Sequence, residues 1–233
     1  MSEIKEIGQK YNTDKFRDDV NYTSAYEKYF SPVRNENLKV LEIGVKHGAG
    51  LLTWKEYFNN SKIYGMDNWT KGFSSYKSVI ERLNKEGITI FEGDQADIDD
   101  LKQLVELYGD FDIIIDDGGH TMLQQQLSFG FLFKYLKSGG IYVVEDLVTS
   151  YWGFDRDQHK DFPSYFEDED KITTLEYLKL LQKTGKSSNK FVSSEQNLYI
   201  EENFKQCEVF EGTALYNDHD KEWKAGIAMI TKK

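Results

Sequence analysis

Hydrophobic and polar positions alternate along this chain in two rhythms, and the switch between them predicts a series of strand–helix units. Leu38–Ile43 reads as a buried strand running into the glycine-rich turn 44–50, and Leu51–Phe58 continues as a helix. Lys62–Met66 is a second strand ending at Asp67; Tyr76–Asn84 has helical spacing, with Val79, Ile80 and Leu83 as its apolar face. Ile88–Phe91 is the third strand and ends near Gly93-Asp94, followed by a helix over Ile98–Leu107. Phe111–Ile115 is the fourth strand and runs into Asp116-Asp117-Gly118-Gly119-His120. A long helix is expected over Leu123–Leu136, stopped by Lys137-Ser138-Gly139-Gly140, before a fifth strand, Ile141–Val144, that ends at Glu145-Asp146.

Strands alternating with helices of this length predict an α/β fold: a Rossmann-like open sheet, mostly parallel. The last third differs. Thr173–Gln182 reads as a helix ended by Gly185, and 207–216 and 225–231 as two closing strands in an antiparallel hairpin. Near the start, Thr23 or Ser24 is placed to cap a short helix with an aromatic inward face. The expected organisation is an N-terminal helical or lid segment (1–36), an α/β core (37–150), an acceptor-side insertion or lid (151–204) and closing strands (205–233).

Composition narrows the function classes. The 233 residues suit one decorated domain, and 39% hydrophobic residues are enough to build a core. With 29 Lys+Arg against 40 Asp+Glu, the net charge is −11, which repels a phosphate backbone and argues against nucleic-acid binding. The single cysteine, Cys207, excludes an intrachain disulfide and a multi-cysteine zinc site, and fits a reducing compartment. Met1–Lys15 lacks a signal-peptide core, and no apolar run is long enough for a bilayer. A cytoplasmic enzyme without membrane attachment is the expectation.

Ligands of open α/β sheets lie beyond the carboxyl ends of the strands, where Gly44, Asp67, Asp94, Asp117 and Glu145 all fall. The glycines of 44–50 allow close backbone approach to a ligand, although a tight turn alone would also explain them. Lys46 stands where a dinucleotide fingerprint needs its second glycine, which disfavours a pyrophosphate and is compatible with S-adenosylmethionine. Asp67 can accept ribose hydroxyls, or cap a turn; Asp94 and Gln95 can meet an adenine edge, or belong to a plain loop.

The stronger signal is acidic. Asp117, Glu145 and Asp146 lie at the ends of adjacent strands, and three converging carboxylates need protons or a cation. Oxygen-rich ligation favours Mg²⁺, with Mn²⁺ or Ca²⁺ as alternatives, unless these are merely solvated strand ends. Asp116 should point the opposite way from Asp117 and serve as a hydrogen-bonding or cofactor-side residue. His120 follows two glycines and is placed to act as general base, since imidazoles titrate near neutrality. His47, His159 and His219 have no comparable setting.

At these residues the chain resembles the metal-dependent sugar O-methyltransferases of the mycinamicin and macrocin group, with cephalosporin-hydroxylase-like proteins as more distant relatives. The matching pieces are Thr13-Asp14-Lys15 with Tyr22-Thr23, Glu42–Val45, Gly65-Met66-Asp67, Gly93-Asp94-Gln95, Asp116–His120, and Val144-Glu145-Asp146 followed by Thr149–Trp152. Gly119 departs from the serine frequent at that position. The resemblance implies a methyltransferase fold in which Asp117, Glu145 and Asp146 bind Mg²⁺ and His120 is the base. It also implies a donor pocket lined by Glu42, Gly44, Asp67 and Gln95, with Tyr22 closing over it, in a homo-oligomer; Asp94 and Asp117, at neighbouring strand ends, complete the expected donor-side set.

The expected reaction is O-methylation of a hydroxyl on a sugar or glycosylated small molecule. The rivals are a metal-dependent oxidoreductase or hydroxylase-like enzyme, a methyltransferase for a non-sugar molecule, and a donor-binding module without catalysis. Tyr151, Trp152, Phe154 and Tyr165 are candidates for an aromatic lid against a sugar face.

Overall fold

A computed structural model of the chain describes residues 2–17, 22–69, 76–150, 172–211 and 226–233. Its elements are α1 (Glu3–Tyr11), α2 (Thr23–Phe30), β1 (Lys39–Ile43), α3 (Ala49–Tyr57), β2 (Lys62–Asp67), α4 (Tyr76–Lys85) and β3 (Thr89–Glu92). They continue with α5 (Ile98–Tyr108), β4 (Phe111–Asp116), α6 (Met122–Leu132), β5 (Leu136–Val144), α7 (Thr174–Thr184), α8 (Ser194–Asn203), β6 (Phe204–Glu211) and β7 (Gly226–Lys232).

The seven strands form one sheet in the order β3-β2-β1-β4-β5-β7-β6. The first five are parallel; β7 runs antiparallel to both β5 and β6. The strand order reverses between β1 and β4, the place where such sheets open a crevice.

Strand alternation sorts the core into two layers. Val40, Ile63, Ile113, Ile115 and Val143 pack under α1–α4 with Phe16, Tyr26, Phe30 and Trp54. Leu41, Tyr64, Ile114, Tyr142 and Val144 face α5–α8 with Leu104, Phe129, Leu178 and Ile200. The same alternation extends into the strand-end acids. Glu42, Asp117 and Glu145 continue the first face, and Asp116 continues the second.

Several boundaries differ from the sequence reading. The long helix stops at Leu132, passes through a 3-10 turn, Phe133–Tyr135, and gives way to β5 at Leu136, so Lys137–Gly140 lie inside a strand. The pairing of β4 with β5 shifts register between Phe111 and Ile113, which accommodates those glycines. Two helices were not anticipated. The polar N-terminal stretch buries Ile4 and Ile7 on one side as α1, and α8 starts from a Ser193–Gln196 capping box. The first closing strand starts at Phe204, earlier than expected. Thr23 opens α2 without capping it; the N-cap is Tyr22, with no side-chain bond. The aromatic lid candidates, and His159 and His219, lie outside the described residues. Among the described residues, no helix is long and apolar enough to cross a membrane.

Candidate active site

Beyond the carboxyl ends of β1 and β4 lies a cleft of about 460 Å³, lined by Thr13–Lys15, Glu42, Gly44–His47, Gly50 and Asp117 among others. One wall is the N-terminal segment, where a 3-10 turn, Asp14–Phe16, is seated by burying Phe16 against Tyr26 and Trp54. The other is the β1–α3 loop. Gly44 has φ of +92°, and a Cβ there would sit 1.9 Å from the Asp117 carbonyl oxygen, so only glycine lets the β1 and β4 ends approach this closely. Across the mouth, Lys46 pairs with Asp14 at 3.3 Å, both exposed.

Asp67 is placed beneath this loop. Its Oδ2 accepts the Val45 and Lys46 amides at 2.7 and 2.9 Å, and its Oδ1 accepts that of Trp69 at 2.8 Å. It fixes the loop's shape and is not among the residues lining the cleft. Gln95 is likewise engaged internally, donating to Asp116 at 2.9 Å and accepting the Gly119 amide at 2.8 Å. The amide therefore ties the 117–120 loop to the buried Asp116, which also accepts from Ser128. Asp94 accepts its own loop's Ala96 amide and the Asn68 side chain, both at 2.8 Å. Burial raises the Asp116 carboxyl above the ordinary range, against the bonds from Ser128 and Gln95.

The acids on the opposite face form a second cluster. Lys15, 3% exposed, places its ammonium between Asp117 Oδ2, Glu145 Oε1 at 2.9 Å and Glu42 Oε1 at 3.3 Å. Tyr26 donates to Glu145 Oε1, and the Trp54 indole donates to Glu42 Oε1 at 3.0 Å. Burial works against the charge on Lys15, but Asp117, Glu145 and Glu42 outweigh it and hold the ammonium well above its ordinary pKa. Glu145 is pushed well upward by burial and by the Asp117 charge. Glu42, buried and only partly relieved by Lys15, rises to about 7.

Asp117, His120 and Asp146 meet on the cluster's other side, each offering one atom within 4.8 Å of the others. His120 Nε2 is 3.5 Å from Asp146 Oδ2 and 3.8 Å from Asp117 Oδ1. Both His120 and Asp146 adopt left-handed backbone, φ +59° and +54°, a region uncommon for non-glycine residues. That turn swings Asp146 out of the strand alternation and toward His120. Tyr22, expected over the donor, instead donates to Asp146 Oδ1 at 2.8 Å. The structure thus brings Asp117, His120 and Asp146 together, with Glu145 held behind them on Lys15 and Tyr26. The last two residues carry no signal of such a role in the sequence, beyond Lys15 falling in one of the matched pieces.

Asp117 and Asp146, beside the buried Glu145, offer an oxygen-rich set that fits a hard divalent cation such as Mg²⁺ or Mn²⁺, with the His120 imidazole within reach of the same space. Without a cation, burial raises the Asp117 carboxyl, with the Asp146 charge adding to the rise and Lys15 and His120 opposing it.

A cleft at the topological switch point, a glycine-rich loop after β1 and acids after β4 and β5 mark the ligand-binding end of a Rossmann-like enzyme fold. Residues 34–185 match the family model described as a methyltransferase domain, and the chain belongs to that family. Among curated relatives, mycinamicin VI 2''-O-methyltransferase of Micromonospora griseorubida is 38% identical over 64% of this chain and 37% of its own length. Demethylmacrocin O-methyltransferase of Streptomyces fradiae is 35% identical over 79% of this chain and 47% of its own length. The chain therefore spans less than half the length of these relatives. Among solved structures, the MycE methyltransferase of mycinamycin biosynthesis, in complex with Mg and SAH, superposes with a TM-score of 0.71 at 30% identity. The match covers 98% of this chain and 54% of that one. A second MycE complex, which also contains mycinamycin VI, gives 0.70.

Proposed function

We propose that the protein is an S-adenosylmethionine-dependent, divalent-metal-assisted O-methyltransferase acting on a hydroxyl of a sugar or glycosylated small molecule. The observation that carries this reading is the convergence of Asp117, His120 and Asp146 beside the glycine-walled cleft. A further relative, named as an 8-demethyl-8-alpha-L-rhamnosyl tetracenomycin-C 2'-O-methyltransferase of Streptomyces olivaceus, supports the sugar. In the reading, Glu42, Gly44 and the 44–50 loop receive the methyl donor, with Asp67 shaping that loop and Asp94 and Gln95 at its adenine side. Asp117 serves both donor and metal. Asp117 and Asp146 hold the cation with Glu145 as the third acid, and Tyr22 orients Asp146.

A bound divalent cation supplies a lowered hydroxyl pKa and a fixed orientation for a vicinal diol. His120 takes the acceptor's proton through Nε2 as the acceptor oxygen bonds to the methyl carbon and the carbon–sulfur bond breaks, its electron pair staying on sulfur. The methyl donor brings its own leaving group, which leaves geometry as the protein's main contribution. We further propose that the enzyme is cytoplasmic, as its single cysteine suggests, and homo-oligomeric, as the resemblance suggests.

The test is incubation with S-adenosylmethionine, Mg²⁺ and a panel of glycosides, read by mass spectrometry. One added methyl on a sugar hydroxyl supports the reading; methylation confined to aglycone or phenolic acceptors refutes the sugar assignment. Donor-independent oxidation of the panel would favour the oxidoreductase alternative.

A further inference from the structure

The buried lysine between the two halves of the site has no part in that reaction scheme. We infer that Lys15 is a positioning residue that holds the metal-side acids and the donor-side acid in one frame, an inference resting on the metal-assisted reading above. An ammonium has three hydrogens to donate. Here three carboxylates surround it: Asp117 and Glu145 from the ends of β4 and β5, and Glu42 from the end of β1. Two of these partners are buried, Glu42 at 1% and Glu145 at 2% exposure, and Asp117 is half-buried. Lys15 is also a wall of the donor cleft, and the turn that carries it is anchored by Phe16 in the core.

The side of approach decides what the lysine does. Lys15 takes Oδ2 of Asp117, whereas Oδ1 is the oxygen that faces His120. The ammonium therefore supports the carboxylate from behind and leaves its other oxygen for a cation. Groups that orient metal-binding side chains in this way are worth roughly 10–100-fold in metal affinity. An opposing effect exists, because a fixed positive charge repels an incoming cation. Without Lys15, however, the carboxylates of Asp117, Glu145 and Glu42 lose the ammonium that lies between them and nothing holds their orientation. A ligand that turns away is lost to the cation, so the loss of support prevails. On the donor side, Glu42 would keep only its Trp54 bond and its place against Gly50.

Two binding titrations test the assignment without turnover: Mn²⁺ into donor-free protein, and S-adenosylhomocysteine into metal-free protein. Lys15→Met should weaken Mn²⁺ binding by roughly 10–100-fold and weaken S-adenosylhomocysteine as well. Lys232→Met, which removes a buried lysine remote from the site, should lower the thermal midpoint and leave both affinities unchanged. A folded Lys15→Met protein that binds Mn²⁺ as tightly as wild type, or more tightly, overturns the assignment. Should that variant not fold, side-chain spectra of the wild type labelled with ¹⁵N-lysine decide. The Lys15 ammonium signal should stay protected from exchange as Mg²⁺ saturates the site, and its disappearance would show a displaced competitor instead of a support. Neither readout involves an acceptor, so failed methyl transfer to sugars would refute the functional reading and leave Lys15 in place. A wild type that binds no Mn²⁺ overturns both.

Discussion

At the scale of single residues, the site is an outcome of strand alternation interrupted at two points. Alternation sends Glu42, Asp117 and Glu145 to one face and Asp116 to the other, and that part was legible, because a period of two needs no tertiary knowledge. The left-handed turns at His120 and Asp146 were not legible, since neither residue type demands them. Nor was the contact of Lys15 with Asp117, which joins positions 102 residues apart. His120→Ala should lower turnover by about 10²–10⁴-fold, the range of a general base, while Mn²⁺ affinity is retained in calorimetry. A parallel collapse of Mn²⁺ binding would make His120 a ligand. Asp146→Ala removes a site acid and the acceptor of Tyr22, and should abolish turnover while S-adenosylhomocysteine still binds.

At the scale of elements, the parallel units were readable from periodicity and the boundaries were not. Gly139 and Gly140 look like a helix stop, yet the chain has already left α6 at Leu132 and uses them at a register shift in β5. The 3-10 turn that follows α6 is held from far away in sequence. Lys232, buried at the end of β7, donates to the carbonyls of Phe133, Lys134 and Leu136 at 3.2, 3.0 and 2.5 Å. A cation suits the carbonyl end of a helix. Lys232→Met leaves those carbonyls without their donor and should destabilise the fold by about 2–4 kcal/mol in urea unfolding. Gly44→Ala tests the approach of β1 to β4: its Cβ would collide with the Asp117 carbonyl, and donor affinity should fall by more than the thermal midpoint alone predicts. An alanine variant with normal donor affinity would mean that the two loops need not be this close.

At the scale of the whole molecule, the site stores unfavourable charge, and pH should expose it. Glu42, with its carboxyl raised to about 7, is joined by Glu145, Asp116 and Asp117, all raised first by burial. An acid whose folded pKa is raised binds more protons folded than unfolded between the two values, so stability falls as pH rises through that window. Metal-free protein should therefore melt at a lower temperature at pH 8 than at pH 5.5, and Mg²⁺ should recover the difference at pH 8. Midpoints that rise with pH in the absence of metal would contradict the charge assignment. The acids' convergence on one cation is the centre of the account, and metal-dependent transfer of a labelled methyl group tests it most directly. With S-adenosylmethionine and a glycoside acceptor, the account predicts transfer that stops in excess chelator, returns with Mg²⁺, and is absent from Asp117→Ala under either condition. Undiminished transfer in excess chelator would contradict it.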